Sequence, residues 1–134
     1  MDLRSEVLVR VRTELGPLTP VPRERSIFRC GNARLNVRSA SQKNGDKFWF
    51  DVTPSFYERR KVDYFLYGCG SAMHIYIFPV AEFAEMIKGA SLGGQKQVPN
   101  FTIYLDRNEF EPAGMANRTH DIRRFLNAFS TVQG

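Results

Sequence analysis

Between Arg34 and Pro79 the chain reads RLNVRSAS, QKNGD, KFWFDVTP, SFYERRK, VDYFLYGCG and, after Ser71-Ala72-Met73, HIYIFP. Four runs of β-branched and aromatic residues are separated by a polar turn, a basic segment and a glycine-rich turn. That pattern predicts a compact sheet. In the first run, side chains alternate between faces, so Ala33, Leu35, Val37 and Ser39 point one way and Arg34, Asn36 and Arg38 the other. In Lys47–Val52 the same period turns Phe48, Phe50 and Val52 inward and leaves Lys47, Trp49 and Asp51 together on the opposite face. Lys43-Asn44-Gly45-Asp46 carries the Asn-Gly pair of a tight hairpin.

Working outward from this stretch, Ser26–Cys30 reads as a strand joined through Gly31-Asn32 to the strand at Ala33–Ser41. With Lys47–Val52 these form a three-stranded meander. Residues Asp2–Leu15 place Leu3, Val7, Leu8, Val11 and Leu15 at helical spacing, although Val7, Val9 and Val11 also alternate as a strand would. Gly16 and Pro17 beyond the stripe favour the helix. Gly16–Arg25, with three prolines, is an extended connector.

Ser55–Lys61 is one or two helical turns. Val62–Tyr67 and His74–Phe78 are strands joined at Gly68-Cys69-Gly70-Ser71. Val80–Lys88 is a helix capped by Gly89, Ala90–Pro99 a polar loop carrying Lys96, and Phe101–Leu105 a strand. Asp106–Arg118 reads as irregular. Thr119 and Asp121 open an expected last helix with Ile122, Phe125, Leu126, Phe129 and Val132 as its apolar stripe. The whole predicts one α+β (α/β-like) domain over residues 1–134. Its mixed sheet of five to six strands is flanked by N-terminal, middle and C-terminal helices.

A net charge of +5 makes anionic partners, nucleic acid first, the natural expectation. The excess is concentrated: Arg23 to Arg38 holds five arginines against one acid, and Arg59, Arg60 and Lys61 are adjacent. The two cysteines, Cys30 and Cys69, sit in apolar contexts that predict buried free thiols. With no CxxC or Cys/His cluster, a structural zinc site is not expected. No apolar run is long enough to span a bilayer, and the acidic N-terminus is unlike a secretion signal, so a cytoplasmic setting is the expectation. His74 reads as a strand-end residue and His120 as an exposed helix start, neither beside a nucleophile. Glu82, Glu85 and Lys88 read as solvent-side helix charges.

The run LNVRSAS…NGDKFWFDV…VDYFLYGCG…HIYIFPVAEF resembles the core of restriction-endonuclease-like nucleases, the PD-(D/E)XK superfamily. The likeness covers roughly the middle third of the chain, and the N-terminal helix fits the usual order. It implies a DNA-binding domain in which Asn36 stands at the position of the motif's acid or Gln and Arg38 at that of its lysine. Asn36 is a poorer metal ligand than a carboxylate, and Arg38 cannot act as a base. Ser26–Asn32 supplies no Asp. The resemblance thus implies a member that kept the fold and lost the metal site.

The residues expected to bind nucleic acid are Arg34, Arg38, Lys43, Lys47, Arg59, Arg60 and Lys61 through phosphates, with Trp49 or Tyr57 stacking on a base. The alternative is an active Mg-dependent deoxyribonuclease with migrated acids, using Asp51 or Asp46 with Lys47 and Glu6. A third reading is a protein-interaction domain whose basic face meets an acidic partner. DNA is the partner expected first, a homodimer is a further expectation, no membrane is expected, and no cofactor is expected unless the nuclease alternative brings Mg.

Overall fold

The structure, a computed structural model, describes residues 1–42 and 45–132. Lys43 and Asn44, and with them the expected Asn-Gly turn, lie outside the described residues. Helix α1 (Leu3–Leu15) is followed by strands β1 (Thr19–Pro20), β2 (Ile27–Cys30), β3 (Ala33–Ala40) and β4 (Lys47–Asp51). Then come α2 (Ser55–Glu58), β5 (Tyr64–Cys69), β6 (Ile75–Pro79), α3 (Val80–Ile87), β7 (Leu92–Gly93), β8 (Val98–Tyr104), β9 (Glu109–Pro112) and β10 (His120–Asp121). Two 3₁₀ turns, Arg123–Phe125 and Phe129–Thr131, complete the fold.

The strands form two sheets. The first runs β1-β2-β3-β5-β6 and is mixed, because β3 and β5 are parallel, from Leu35 opposite Tyr64 to Ala40 opposite Cys69, while the other pairs are antiparallel. The second runs β10-β9-β8-β4, with β7 also paired to β8, and is antiparallel throughout. The α+β class and the mixed five-stranded sheet are therefore as the sequence predicts.

The expected three-stranded meander does not form. β4 leaves β3 and pairs with β8 as the edge strand of the second sheet, and β5 takes the place beside β3. The reason lies in the two patterns. β5 carries Phe65, Leu66 and Tyr67 in succession, all fully buried, and so needs cover on both faces. β4 alternates buried Phe48 and Phe50 with exposed Lys47 and Trp49, which suits a layer with one wet face.

α1 covers the outer face of the first sheet through Val7, Leu8 and Val11, against Leu35, Val37, Leu66, Ile75 and Ile77. Asp2 caps its first turn by accepting from Ser5 N at 2.8 Å, and the Gly16 N–H closes the last on Arg12 O at 2.8 Å. Val9 stays exposed, which settles the choice between helix and strand. The inner face of the first sheet, the second sheet and α3 enclose an aromatic core that includes Phe48, Phe50, Phe65, Tyr67, Phe78, Phe83, Phe101 and Phe110. Burying each such ring is worth about 1.5–3 kcal/mol relative to leaving it in water.

Two further expectations are corrected. The segment predicted to be irregular contains β9, which pairs with β8 from Phe101 opposite Pro112 to Tyr104 opposite Glu109. The apolar stripe of the expected C-terminal helix does not coil. Ile122 and Phe125 enter the aromatic core, whereas Phe129 and Val132 pack on the α1 side. Spacings of three and four thus serve a chain that wraps past β6, with Leu126 bridging to Tyr76 and Asn127 turning at φ +54°. His120 consequently sits half-buried in β10 against Phe110, not at an exposed helix start. No described helix is long and apolar enough to cross a membrane.

Candidate nucleic-acid interface

Period-two alternation does put Arg34, Asn36 and Arg38 on one face of β3, but that face looks toward the second sheet. Asn36 is 1% exposed. Its Nδ2 donates to Ser26 Oγ at 2.8 Å and to Ser26 O at 3.3 Å, which ties β3 to the start of β2. Arg38, one step further along, emerges at the mouth between the sheets. Its Nη1 donates to the Asp51 carboxylate and to the Asp51 main-chain O, both at 2.7 Å, so one guanidinium closes the end of edge strand β4. Beneath it lies Tyr67, its register partner on β5, whose hydroxyl is fully buried with no hydrogen-bond partner among the described residues. Burial drives that hydroxyl far above its ordinary pKa, with Arg38 opposing and Asp51 reinforcing the rise.

Around this pair is a polar cleft of about 420 Å³, lined among others by Glu24, Arg25, Asn36, Arg38, Asp51 and Lys96. Next to it, an open groove of about 690 Å³ is lined by Ser39, Ala40 and Ser41 on one side and Lys47, Trp49, Thr102 and Tyr104 on the other. The two depressions are consecutive along both β3 and β4. Trp49 is 51% exposed, unusual for an aromatic ring of its size. Its Nε1 donates to Asn100 Oδ1 at 3.1 Å, and Asn100 Nδ2 donates in turn to Ser91 O at 3.2 Å, so the indole is fixed from one edge. Lys47 lies over the Tyr104 ring at 5.8 Å and Arg107 at 4.2 Å. On the β9 side the acids are engaged: Glu109 pairs with Arg107 at 2.9 Å, and Glu111 accepts from Tyr104 at 3.3 Å. Burial and the Glu111 carboxylate raise the Tyr104 pKa, keeping its hydroxyl a donor.

The expected site residues fall into two groups. Arg38, Lys47, Trp49 and Asp51 come together along the cleft and groove. Arg34 lies at the other end of β3, where its side chain and its main-chain N–H both meet Asp63, at 3.4 and 2.8 Å. The exposed Arg59, Arg60 and Lys61 flank that second end, and their side chains make no ion pair among the described residues. Lys43 lies outside the described residues. Of the nuclease candidates, Asp46 is exposed beyond the far end of β4, and Glu6 is exposed on α1, across the first sheet from Asp51. His74, expected to have no nucleophile-type neighbour, does have one: Ser71 Oγ lies 3.3 Å from its Nδ1 within the same turn. Residues that sequence reasoning left out of the site are Lys96, Arg25, Asn100 and Tyr104. The first sits in the loop already noted as polar, and Tyr104 belongs to a strand whose alternation shows its outward face.

A divalent cation does not fit these donors. Asp51 is held by the Arg38 guanidinium, whose positive charge opposes a cation there, and Asn36 offers only a neutral amide oxygen. Among the described residues no three His, Cys, Asp or Glu side chains converge as a metal site. The cleft carries Arg25, Arg38 and Lys96 alongside Glu24 and Asp51, and the groove beside it exposes the Trp49 ring. Compared with known proteins, the chain matches no family model, no curated protein and no solved structure, so its chemistry has to be read from its own residues.

Proposed function

We infer that the chain is a DNA-binding domain of restriction-endonuclease-like descent that holds nucleic acid without cutting it. The observation that carries this reading is the outer face of β4. Lys47 and the half-exposed Trp49 stand beside Tyr104 there, and the groove runs directly into a cleft bearing Arg25, Arg38 and Lys96. Cations along such a path position a phosphate backbone, and aromatic rings among them accept bases. The likeness in order supports the descent: a helix, then a β-hairpin whose second strand carries Asn36 and Arg38 at the motif spacing. The engagement of Asn36 and Asp51 by Ser26 and Arg38 supports binding over cleavage.

The test is equilibrium binding of labelled DNA across a salt series, with plasmid incubation in Mg²⁺ or Mn²⁺ alongside. The expected result is a logarithm of affinity that falls linearly with log salt, a slope reduced by roughly 0.7–0.9 for each of Lys47→Ala and Lys96→Ala, and intact plasmid. Absence of binding at low salt would sink the reading. Cleavage abolished by Asp51→Ala would replace it with the nuclease alternative.

A further inference from the structure

We propose that the groove beside Trp49 is a subsite for unpaired nucleotides, so that the chain prefers single-stranded over duplex nucleic acid. This rests on the nucleic-acid reading above and narrows it to one class of ligand. In a duplex the faces of the bases are covered by stacking, and only their edges and the phosphates reach a protein surface. A ring that offers its face to a base therefore has a partner only where the strand is unpaired.

The geometry around Trp49 suits that partner. The indole stands on the flat, wet side of a strand, paired across to Thr102, whose small side chain leaves the ring face open. Asn100 holds one edge of the ring, so little conformational freedom remains to be lost on stacking. The glycine turn lies close to the benzo end of the ring: a methyl group at Gly94 would lie 3.6 Å from Trp49 Cη2. Two residues away along β4, about 7 Å by the rise of a strand, Lys47 stands on the same face, and Asp51 is neutralised by Arg38 in the other direction. Lys47 stands on β4 with no ion pair among the described residues, whereas Arg107 on the β9 side is paired with Glu109, beside Glu111. A bound strand accordingly runs along β4, with its phosphates toward Lys47 and Lys96 and a base over Trp49.

Trp49 is the single tryptophan of the chain, so its emission reports this groove alone. The experiment titrates the whole protein with oligothymidylate and with a duplex of equal length at low salt, reading tryptophan emission and, in parallel, anisotropy of end-labelled strands. Quenching of Trp49 by the single strand, tighter binding of the single strand than of the duplex, and a 5- to 140-fold loss in Trp49→Ala are expected. That loss corresponds to roughly 1–3 kcal/mol for one stacked base. Trp49→Phe should recover part of it, and unchanged urea midpoints would show that both variants fold. Binding with silent Trp49 emission, or duplex bound as tightly as single strand with Trp49→Ala equal to wild type, overturns this inference and leaves the DNA-binding reading standing. Failure of every oligonucleotide to bind overturns both.

Discussion

At the scale of single residues, the groove depends on a relay that starts at a main-chain oxygen. Ser91 O holds Asn100, and Asn100 holds Trp49. Gly93 sits against that relay: a Cβ there would come within 2.6 Å of Asn100 Nδ2. The amide is the movable end of a side chain, so Gly93→Ala should change stability by no more than about 0.5 kcal/mol while displacing Asn100. Trp49 should then become more accessible to acrylamide quenching, and an unchanged quenching constant would show that the indole does not depend on Asn100. The alternation that exposes Trp49 was legible in KFWFDV from the spacing of its phenylalanines. The relay was not, because Asn100 and Ser91 reach Trp49 through pairing with β8, some fifty positions along the chain. Asn36 shows the same limit, since its face was readable from period two but its burial follows from the second sheet.

At the scale of elements, α1 and β5 approach each other closely at Gly68. A methyl group at Gly68 would lie 2.7 Å from Val7 Cγ2, inside contact distance for carbon. Gly68→Ala should therefore destabilise by about 1–3 kcal/mol in urea unfolding, and adding Val7→Ala should return part of the loss. Equal destabilisation in the single and double variants would show that the strain lies elsewhere. The C-terminal wrap depends on Asn127, whose Oδ1 accepts from Arg10 Nη1 at 3.0 Å and Ile75 N at 3.1 Å, while Nδ2 donates to Met73 O at 2.8 Å. Asn127→Gly tolerates the positive φ but loses these bonds, for roughly 1–3 kcal/mol. Asn127→Ala should cost about 1 kcal/mol more, because alanine resists the left-handed conformation. Equal unfolding free energies for the two variants would discount the backbone contribution. Gly68 was readable only as part of a turn, and the Ile122–Val132 stripe as a helix. Both misreadings arise because local spacing does not reveal which layer an element will meet.

At the scale of the whole molecule, the first sheet is the shared wall of two apolar compartments, one under α1 and one filled with stacked rings. That arrangement was legible in part: β5 and β6 are apolar at consecutive positions, as strands covered on both faces must be. What local pattern could not show is that β4 would cross to a second sheet and end as its last strand. The guanidinium of Arg38 occupies the main-chain oxygen of Asp51 at the open side of that strand. Such an edge is a template on which another chain can lay a strand of its own, and a cation set into it discourages that growth. Arg38→Ala should accordingly yield concentration-dependent larger species in sedimentation velocity, whereas Arg38→Lys should sediment as wild type. Identical sedimentation of Arg38→Ala and wild type at all concentrations would rule this out. If Arg38→Ala does form the larger species, the arginine that lines the cleft is also what keeps copies of the protein from polymerising through β4.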